Sequence, residues 1–405
     1  MDVLFLSPAY PPEMMAFTRG LAEVGAAVWG VGDTPRAQLS PELRRHLADY
    51  LHVPSTLATE DVMARVHEWL GNRVPDRIES NWEPVTELAA ALRARYGVPG
   101  LSIDTVLGFR DKVVMRERVA AAGLRVPRTV RAATETEARE AVEFVGFPLI
   151  IKPVAGAGSA DTWRCNDFAE LDRALAATRH VAEVSVEEFI VGDEYTYETI
   201  CIDGRPVHES STRYLPNVLD ARRHQWISPI IMGIRDMNAP AIRAGVELGR
   251  AVLKALGMGT GFTHMEWYRT PKGEAVFGEV ACRSPGALMV DVMCAAADHD
   301  LYREWARAVC WSDFRGPTER PYNSAVVFKR ARGEGRIRAI HGVEGYRRRF
   351  GPWIVREDLL PVGAPRRDWQ QTFLSDGHVL VRHPDWAATL EMAVAATTDI
   401  QLDAG

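Results

Sequence analysis

The residues from Glu266 to Arg283 limit what this chain can fold into more than any others. They read Glu266-Trp-Tyr-Arg-Thr, a Pro271-Lys-Gly273 turn, then Glu274-Ala-Val-Phe-Gly-Glu279-Val-Ala-Cys-Arg283. Alternating apolar and aromatic runs on both sides of such a turn predict a β-hairpin. Each strand carries one carboxylate, Glu266 and Glu279, where the neighbouring residues favour a buried sheet. Two carboxylates facing across strands repel unless a cation lies between them, and hard oxygen donors suit Mg²⁺ held against phosphates. A solvent-facing hairpin with ordinary surface charge fits the same residues, so the upstream sequence has to decide.

The chain has 405 residues, more than one core usually supports, and two or three structural units are expected. An apolar content of 47% with 25% charged residues describes an ordinary globular protein. The 48 basic against 54 acidic residues leave a net charge of −6, which argues against a nucleic-acid partner. No apolar run approaches the roughly 18 to 20 residues of a membrane span, and the first residues lack the basic and long apolar segments of a signal peptide. The five cysteines include no Cys-x-x-Cys pair. Free thiols in a cytoplasmic protein are expected.

Strand and helix alternate through the first hundred residues, which suggests a parallel α/β sheet. Strands are expected at 2–7, 26–31, 51–53 and 77–80, with helices at 14–24, 41–50, 61–70 and 84–96. No Gly-x-Gly-x-x-Gly follows the first strand, so dinucleotide binding is not indicated. A second unit opens with a helix around 110–122, closed by Gly123. Thr134 with Glu137 has capping-box spacing for a helix over 134–144. Phe147-Pro-Leu-Ile-Ile-Lys152-Pro reads as a strand ending in a small-residue loop, 154–161. Strands at 184–190 and 195–202 and an amphipathic helix at 239–256 lead to the hairpin. From about Tyr322 the chain reads as a small α+β closing unit with a last helix at 385–397.

Several of these residues suit phosphate and nucleotide chemistry. Lys152 ends an apolar strand beside a glycine-containing loop whose amides would line an anion site, although a lysine snorkelling at a strand end reads the same way. Glu187-Glu188-Phe189-Ile190, with Glu194 after a turn, offers an apolar slot, backbone groups and a carboxylate, as adenine and ribose require. An acidic edge strand is the plain alternative. Lys112 lies on a helix surface, and Arg283 calls for an anionic partner. His264 is placed on the Glu266 face.

Together these segments resemble the ATP-grasp superfamily of carboxylate–amine ligases. The resemblance rests on Asp111-Lys112, Ala122-Gly-Leu-Arg-Val-Pro127, Pro148-Leu-Ile-Ile-Lys152-Pro153, Glu187-Glu188-Phe189-Ile190 with Gly192-Asp-Glu194, His264-Met-Glu266, and Glu279-Val-Ala-Cys-Arg283. It implies an ATP-grasp fold, α/β and α+β, with four parts. These are a Rossmann-like N-terminal unit over 1–108, a small subdomain over 109–183, a large subdomain over 184–321, and a C-terminal α+β region over 322–405. It further implies that Lys112 and Lys152 hold ATP phosphates and that Gly156, Gly158 and Ser159 lie in a loop over them. Glu188, Phe189 and Ile190 would border adenine with Glu187 nearby, and Glu194 would take the ribose. Glu266 and Glu279 would bind Mg²⁺, or Mn²⁺ in its place. Lys152 and Arg283 would be catalytic. Many members have Asn where Ala281 stands, which leaves open whether one or two metal ions bind. Glu-x-Ala-x-Arg looks like the bacterial L-amino-acid ligases that make dipeptides.

The resemblance implies activation of a carboxylate as an acyl phosphate and its capture by an amine, with release of ADP and phosphate, on small-molecule substrates. Candidate substrate residues are Trp226, His264, Arg213 and Glu83, and Arg222 and Arg223 are, with Arg213, candidate carboxylate clamps. Related enzymes often form dimers. Two other readings keep the same scaffold: a biotin-carboxylase-like enzyme that forms carboxyphosphate, and a non-catalytic ATP-binding regulatory protein.

Overall fold

The fold was analysed in a computed structural model that describes residues 1–154, 162–216, 221, 224–369, 372 and 374–405. Gly156, Gly158, Ser159, Arg222 and Arg223 lie outside the described residues.

The first sheet joins β1 (Asp2–Leu6), β2 (Ala27–Gly32), β3 (Asp49–His52) and β4 (Arg77–Glu79) in the order β3-β2-β1-β4. All of its pairings are parallel. The expected helix over 41–50 stops at His46, and Tyr50, in β3, instead pairs with Gly30 of β2. Ser40 caps that helix, but burial of Tyr50 against Leu39 and Leu43 favours the strand over another helical turn. The helix expected around 110–122 runs over Lys112–Ala121, and a separate helix, Ile103–Arg110, precedes it. Asp111 separates them because its carboxylate accepts from the amides of Val113 and Val114, which makes it the second helix's N-cap. Thr134 and Glu137 form the expected capping box.

A small antiparallel sheet follows in the order β5-β8-β6-β7, from β5 (Thr129–Ala132), β6 (Leu149–Pro153), β7 (Trp163–Cys165) and β8 (Val184–Glu188). The strand at 184–188, grouped above with the large subdomain, pairs here with β5 and β6.

Among the described residues the largest sheet has nine strands. These include β9 (Asp193–Ile202), β10 (Arg205–Ser210), β11 (Thr212–Leu215), β12 (Ile230–Gly233), β13 (Gly261–Arg269) and β14 (Ala275–Ala281). The region after 322 is not a separate sheet: β15 (Asn323–Phe328), then after β16 (Ile337–His341) the strands β17 (Ile354–Leu359) and β18 (Gly377–His383), extend it. Every residue of β15 is buried, so this strand needs a neighbour on each side and finds them in β12 and β18. β16 and β19 (Gln401–Ala404) pair apart from it, as a two-stranded ribbon.

Helix Arg243–Ala255 closes one face of this sheet through two glycines. A Cβ on Gly245 would lie 2.0 Å from the Trp267 ring, and one on Gly249 would lie 2.2 Å from Tyr197. On the opposite face, Phe17 of the first helix packs edge-on against Phe262, Tyr302 and Trp305. That contact joins the N-terminal unit to the large sheet in one core. The five cysteines are free. Among the described residues no helix is long and apolar enough to cross a membrane.

Candidate active site

Period-two alternation decides which side chains meet. Glu194, Thr196 and Glu198 of β9 stand opposite Tyr268, Glu266 and His264 of β13, and directly opposed residues share a sheet face. On the other side of β13, Glu266 is the direct partner of Glu279 in β14. A bulge after Glu266 shifts the register there, and Gly278 fits it because a Cβ at that position would come within 2.8 Å of the Glu266 carbonyl oxygen.

The expected carboxylate pair is therefore formed across adjacent strands. Lys112 Nζ lies 2.7 Å from Glu279. His264 holds Glu198 at 3.0 Å through Nδ1 and approaches Glu266 at 3.7 Å through Nε2. Burial by itself would raise the Glu266 carboxyl, but His264, Arg283 and Lys112 hold it below the ordinary carboxylate range. Burial would likewise lower His264, and its two carboxylate partners overcome this and raise it to about 9. A divalent cation fits the opposed carboxylates in donor chemistry, since both offer hard anionic oxygens. The rest of its coordination would come from phosphate and water oxygens.

A second cluster lies on the small sheet. Glu187 accepts from Arg116 at 2.5 and 3.0 Å, from Ser185 at 2.8 Å, and from Lys152 at 2.8 Å. Burial pushes the Glu187 carboxyl up, but Arg116 and Lys152 outweigh this and hold it at about 2. Lys152 is itself lowered, first by burial and then by its cationic neighbours Arg116 and Lys112, against the pull of Glu187. Glu187 is lowered because two cations share it, and Lys152 is lowered because burial and its cationic neighbours outweigh the one carboxylate. Glu188 turns its side chain to Arg125 and Arg128 at 2.7 and 3.2 Å, while its amide donates to the Arg128 carbonyl. Arg164 lies over the Phe189 ring at 4.2 Å.

Tyr268 shows that the two clusters adjoin. Burial first, and then the charges of Glu194, Glu266, Glu279 and Glu187, push its hydroxyl well above the ordinary range. Arg283 extends beyond β14 to Glu83 of the N-terminal unit at 2.9 Å.

Two sequence candidates lie elsewhere. Arg213 pairs opposite Tyr195, on the face away from Glu194, and binds Asp193 at 2.6 Å. Trp226 is 79% exposed and its ring lies on His224. Neither joins the cluster. Sequence reasoning missed Arg116, Glu198 and Tyr268. Arg116 follows Lys112 by one helical turn, and Glu198 and Tyr268 follow Glu194 and Glu266 by even steps along their strands, so each had a spacing signal.

A family description, the ATP-grasp domain, matches residues 117–295, the span holding Lys152, Glu187, Glu194, Glu266, Glu279 and Arg283. Residues 117–295 are an ATP-grasp domain. Similar proteins include the L-arginine-specific L-amino acid ligase of Bacillus subtilis, 25% identical over 252 residues and 60% of each chain. A D-alanine–D-alanine ligase of Xylella fastidiosa is 39% identical over 112 residues, 26% of this chain and 36% of that one. The chain thus spans 60% or less of the length of these relatives. The crystal structure of an L-amino acid ligase from Bacillus licheniformis superposes with a TM-score of 0.78 at 17% identity, covering 99% of this chain and 98% of that one. The ATP-grasp fold therefore extends beyond the matched span. Lys112 precedes the span and joins the domain through its contact with Glu279.

Proposed function

We propose that this chain is an ATP- and Mg²⁺-dependent ligase that joins the carboxylate of one amino acid to the amine of another, releasing ADP and phosphate. The observation that carries this reading is the direct opposition of Glu266 and Glu279, with Lys112 on Glu279 and Arg283 just beyond that residue's strand. The similarity to amino-acid and D-alanine ligases supports the substrate class.

In this reading Lys112 and Lys152 bind the triphosphate from two sides, and Glu194 takes the ribose hydroxyls. The backbone beside Glu188, Phe189 and Ile190 borders adenine, and the carbonyl of Glu188 is the group turned to it, since its amide is engaged. A divalent ion held by Glu266 and Glu279 supplies charge neutralisation at the phosphate oxygens. A substrate carboxylate oxygen attacks the γ-phosphorus, the bond to the β-bridging oxygen breaks, and ADP leaves. Lys152 and Arg283 stabilise the charge on the transferring group, as phosphoryl transfer requires. The amine then attacks the acyl carbon, and an Arg283 N–H stabilises the tetrahedral oxyanion. Collapse breaks the carbon–oxygen bond to phosphate and leaves the amide, with loss of the amine proton.

The test is phosphate release across a panel of amino acids, small acids and bicarbonate, with products identified by mass spectrometry. An amino-acid-dependent signal with a peptide product supports the ligase. Release that depends on bicarbonate alone, or nucleotide binding without turnover on any substrate, would overturn it.

A further inference from the structure

Glu83 opens the short turn Glu83–Val85 that follows β4 and precedes helix Thr86–Tyr96. Its carboxylate joins two arginines from distant parts of the chain. Oε2 accepts from Arg283 Nε at 3.1 Å and Nη2 at 2.9 Å, and Oε1 accepts from Arg110 Nη1 at 2.8 Å. Arg283 Nη1 also donates to the Ser284 carbonyl at 2.8 Å. A guanidinium carries five N–H donors. Three of those on Arg283 are engaged, so one N–H remains on each terminal nitrogen for an oxyanion. Burial alone would raise the Glu83 carboxyl, but Arg283 and then Arg110 hold it below the ordinary range. Glu83 is therefore anionic and has both oxygens occupied. Its turn belongs to the N-terminal unit, outside the matched domain.

We infer that Glu83 is a positioning residue: it clamps the Nε side of Arg283 so that the two terminal N–H groups are presented to the transferring phosphoryl group and the acyl oxyanion. The inference rests on the ligase reading and changes the role of Glu83 from substrate ligand to support for the arginine. Arg110 closes the clamp from the other side. It ends the helix whose neighbour begins with Lys112, so one helix junction steadies Arg283 through Glu83 and reaches Glu279 directly.

The experiment compares Glu83→Gln, Glu83→Asp, Arg283→Ala and the double variant Glu83→Gln/Arg283→Ala. Loss of the clamp should lower kcat of Glu83→Gln by roughly 10²-fold, the cost of a small misplacement at a reacting centre. KM for ATP should stay within about twofold, because the clamp binds no nucleotide itself. Glu83→Asp should recover part of the rate, and the double variant should be no slower than Arg283→Ala. Additive losses, or a raised KM for one amino acid with kcat unchanged, would assign Glu83 to substrate and overturn the inference. The ligase reading fails separately, if the unaltered protein releases no phosphate with any substrate. The clamp is then read from exchange of the Arg283 Nε–H by ¹⁵N-resolved NMR, assigned by its absence in Arg283→Lys. Slow exchange that becomes fast in Glu83→Gln supports the clamp, and equal exchange in both proteins overturns it.

Discussion

The two lysines assigned to the triphosphate meet their carboxylates at nearly the same distance, 2.8 Å for Lys152 with Glu187 and 2.7 Å for Lys112 with Glu279. Their surroundings differ. Side-chain exposure is 27% and 8% in the first pair and 44% and 41% in the second. Glu187 also holds Arg116 and Ser185, so its removal strands two cations in a partly desolvated site. Glu279 holds one lysine that water can solvate. The buried cluster therefore contributes to the stability of the small sheet, whereas the open pair costs little to separate and, in the proposed function, would yield its carboxylate to a metal ion. Contact length alone does not separate these roles; desolvation does.

The sharpest way to break this comparison is Glu279→Ala. Loss of a metal carboxylate at the transferring phosphate should lower ADP formation about 10³-fold, or about 4 kcal/mol of barrier. Thermal unfolding should change little, because only an exposed ion pair is lost. A variant that keeps more than a tenth of the activity would remove Glu279 from the metal site.

Glu187→Ala should do the reverse. Breaking a buried ionic group by removing one partner costs about 3 kcal/mol, so the small sheet should unfold at markedly lower denaturant. An unchanged midpoint would mean that Arg116 and Lys152 find other partners. The same carboxylate predicts an acid limb. Its pKa falls from an ordinary 4.5 to about 2 in the fold, so its stabilisation is complete above pH 4.5 and is lost as pH falls toward 2. At about 1.4 kcal/mol per unit this amounts to about 3 kcal/mol. The stability gap between the unaltered protein and Glu187→Gln should narrow across that window. A gap that is flat in pH would show that Glu187 stabilises through packing.

What was legible in the sequence follows the range of the forces involved. Glu266 and Glu279 could be placed from alternation and a turn, and the cap at Thr134 from local hydrogen bonding. Arg213 stands in β11 opposite Tyr195, a placement set by strand pairing rather than by the residues around it. The strand Asn323–Phe328 was assigned to a separate unit because its neighbours, β12 and β18, are set by tertiary pairing. The bond between Glu83 and Arg283 spans 200 residues, and no local pattern encodes it. Arg116 lies between: its spacing from Lys112 puts both on one helix face, but only the fold brings Glu187 to it.

Lys112→Met tests the open side of the comparison with the smallest expected change in stability. The pair it breaks is exposed at both ends, and such pairs contribute about 0–1 kcal/mol. The methionine keeps the unbranched stem and a good helix propensity, so the melting curve should stay within the effect of about 0.5 kcal/mol. Two effects on function then oppose each other. Removing the ammonium frees Glu279 for a divalent ion and should tighten Mn²⁺ binding to the nucleotide-free protein by a fewfold. It also deletes a charge assigned to the phosphates, so KM for ATP should rise about tenfold, equivalent to about 1.4 kcal/mol. Calorimetry with Mn²⁺ alone separates the two. Weaker Mn²⁺ binding together with a raised KM would mean that Lys112 organises the carboxylates rather than competing for them, and the contrast with the Glu187 cluster would disappear.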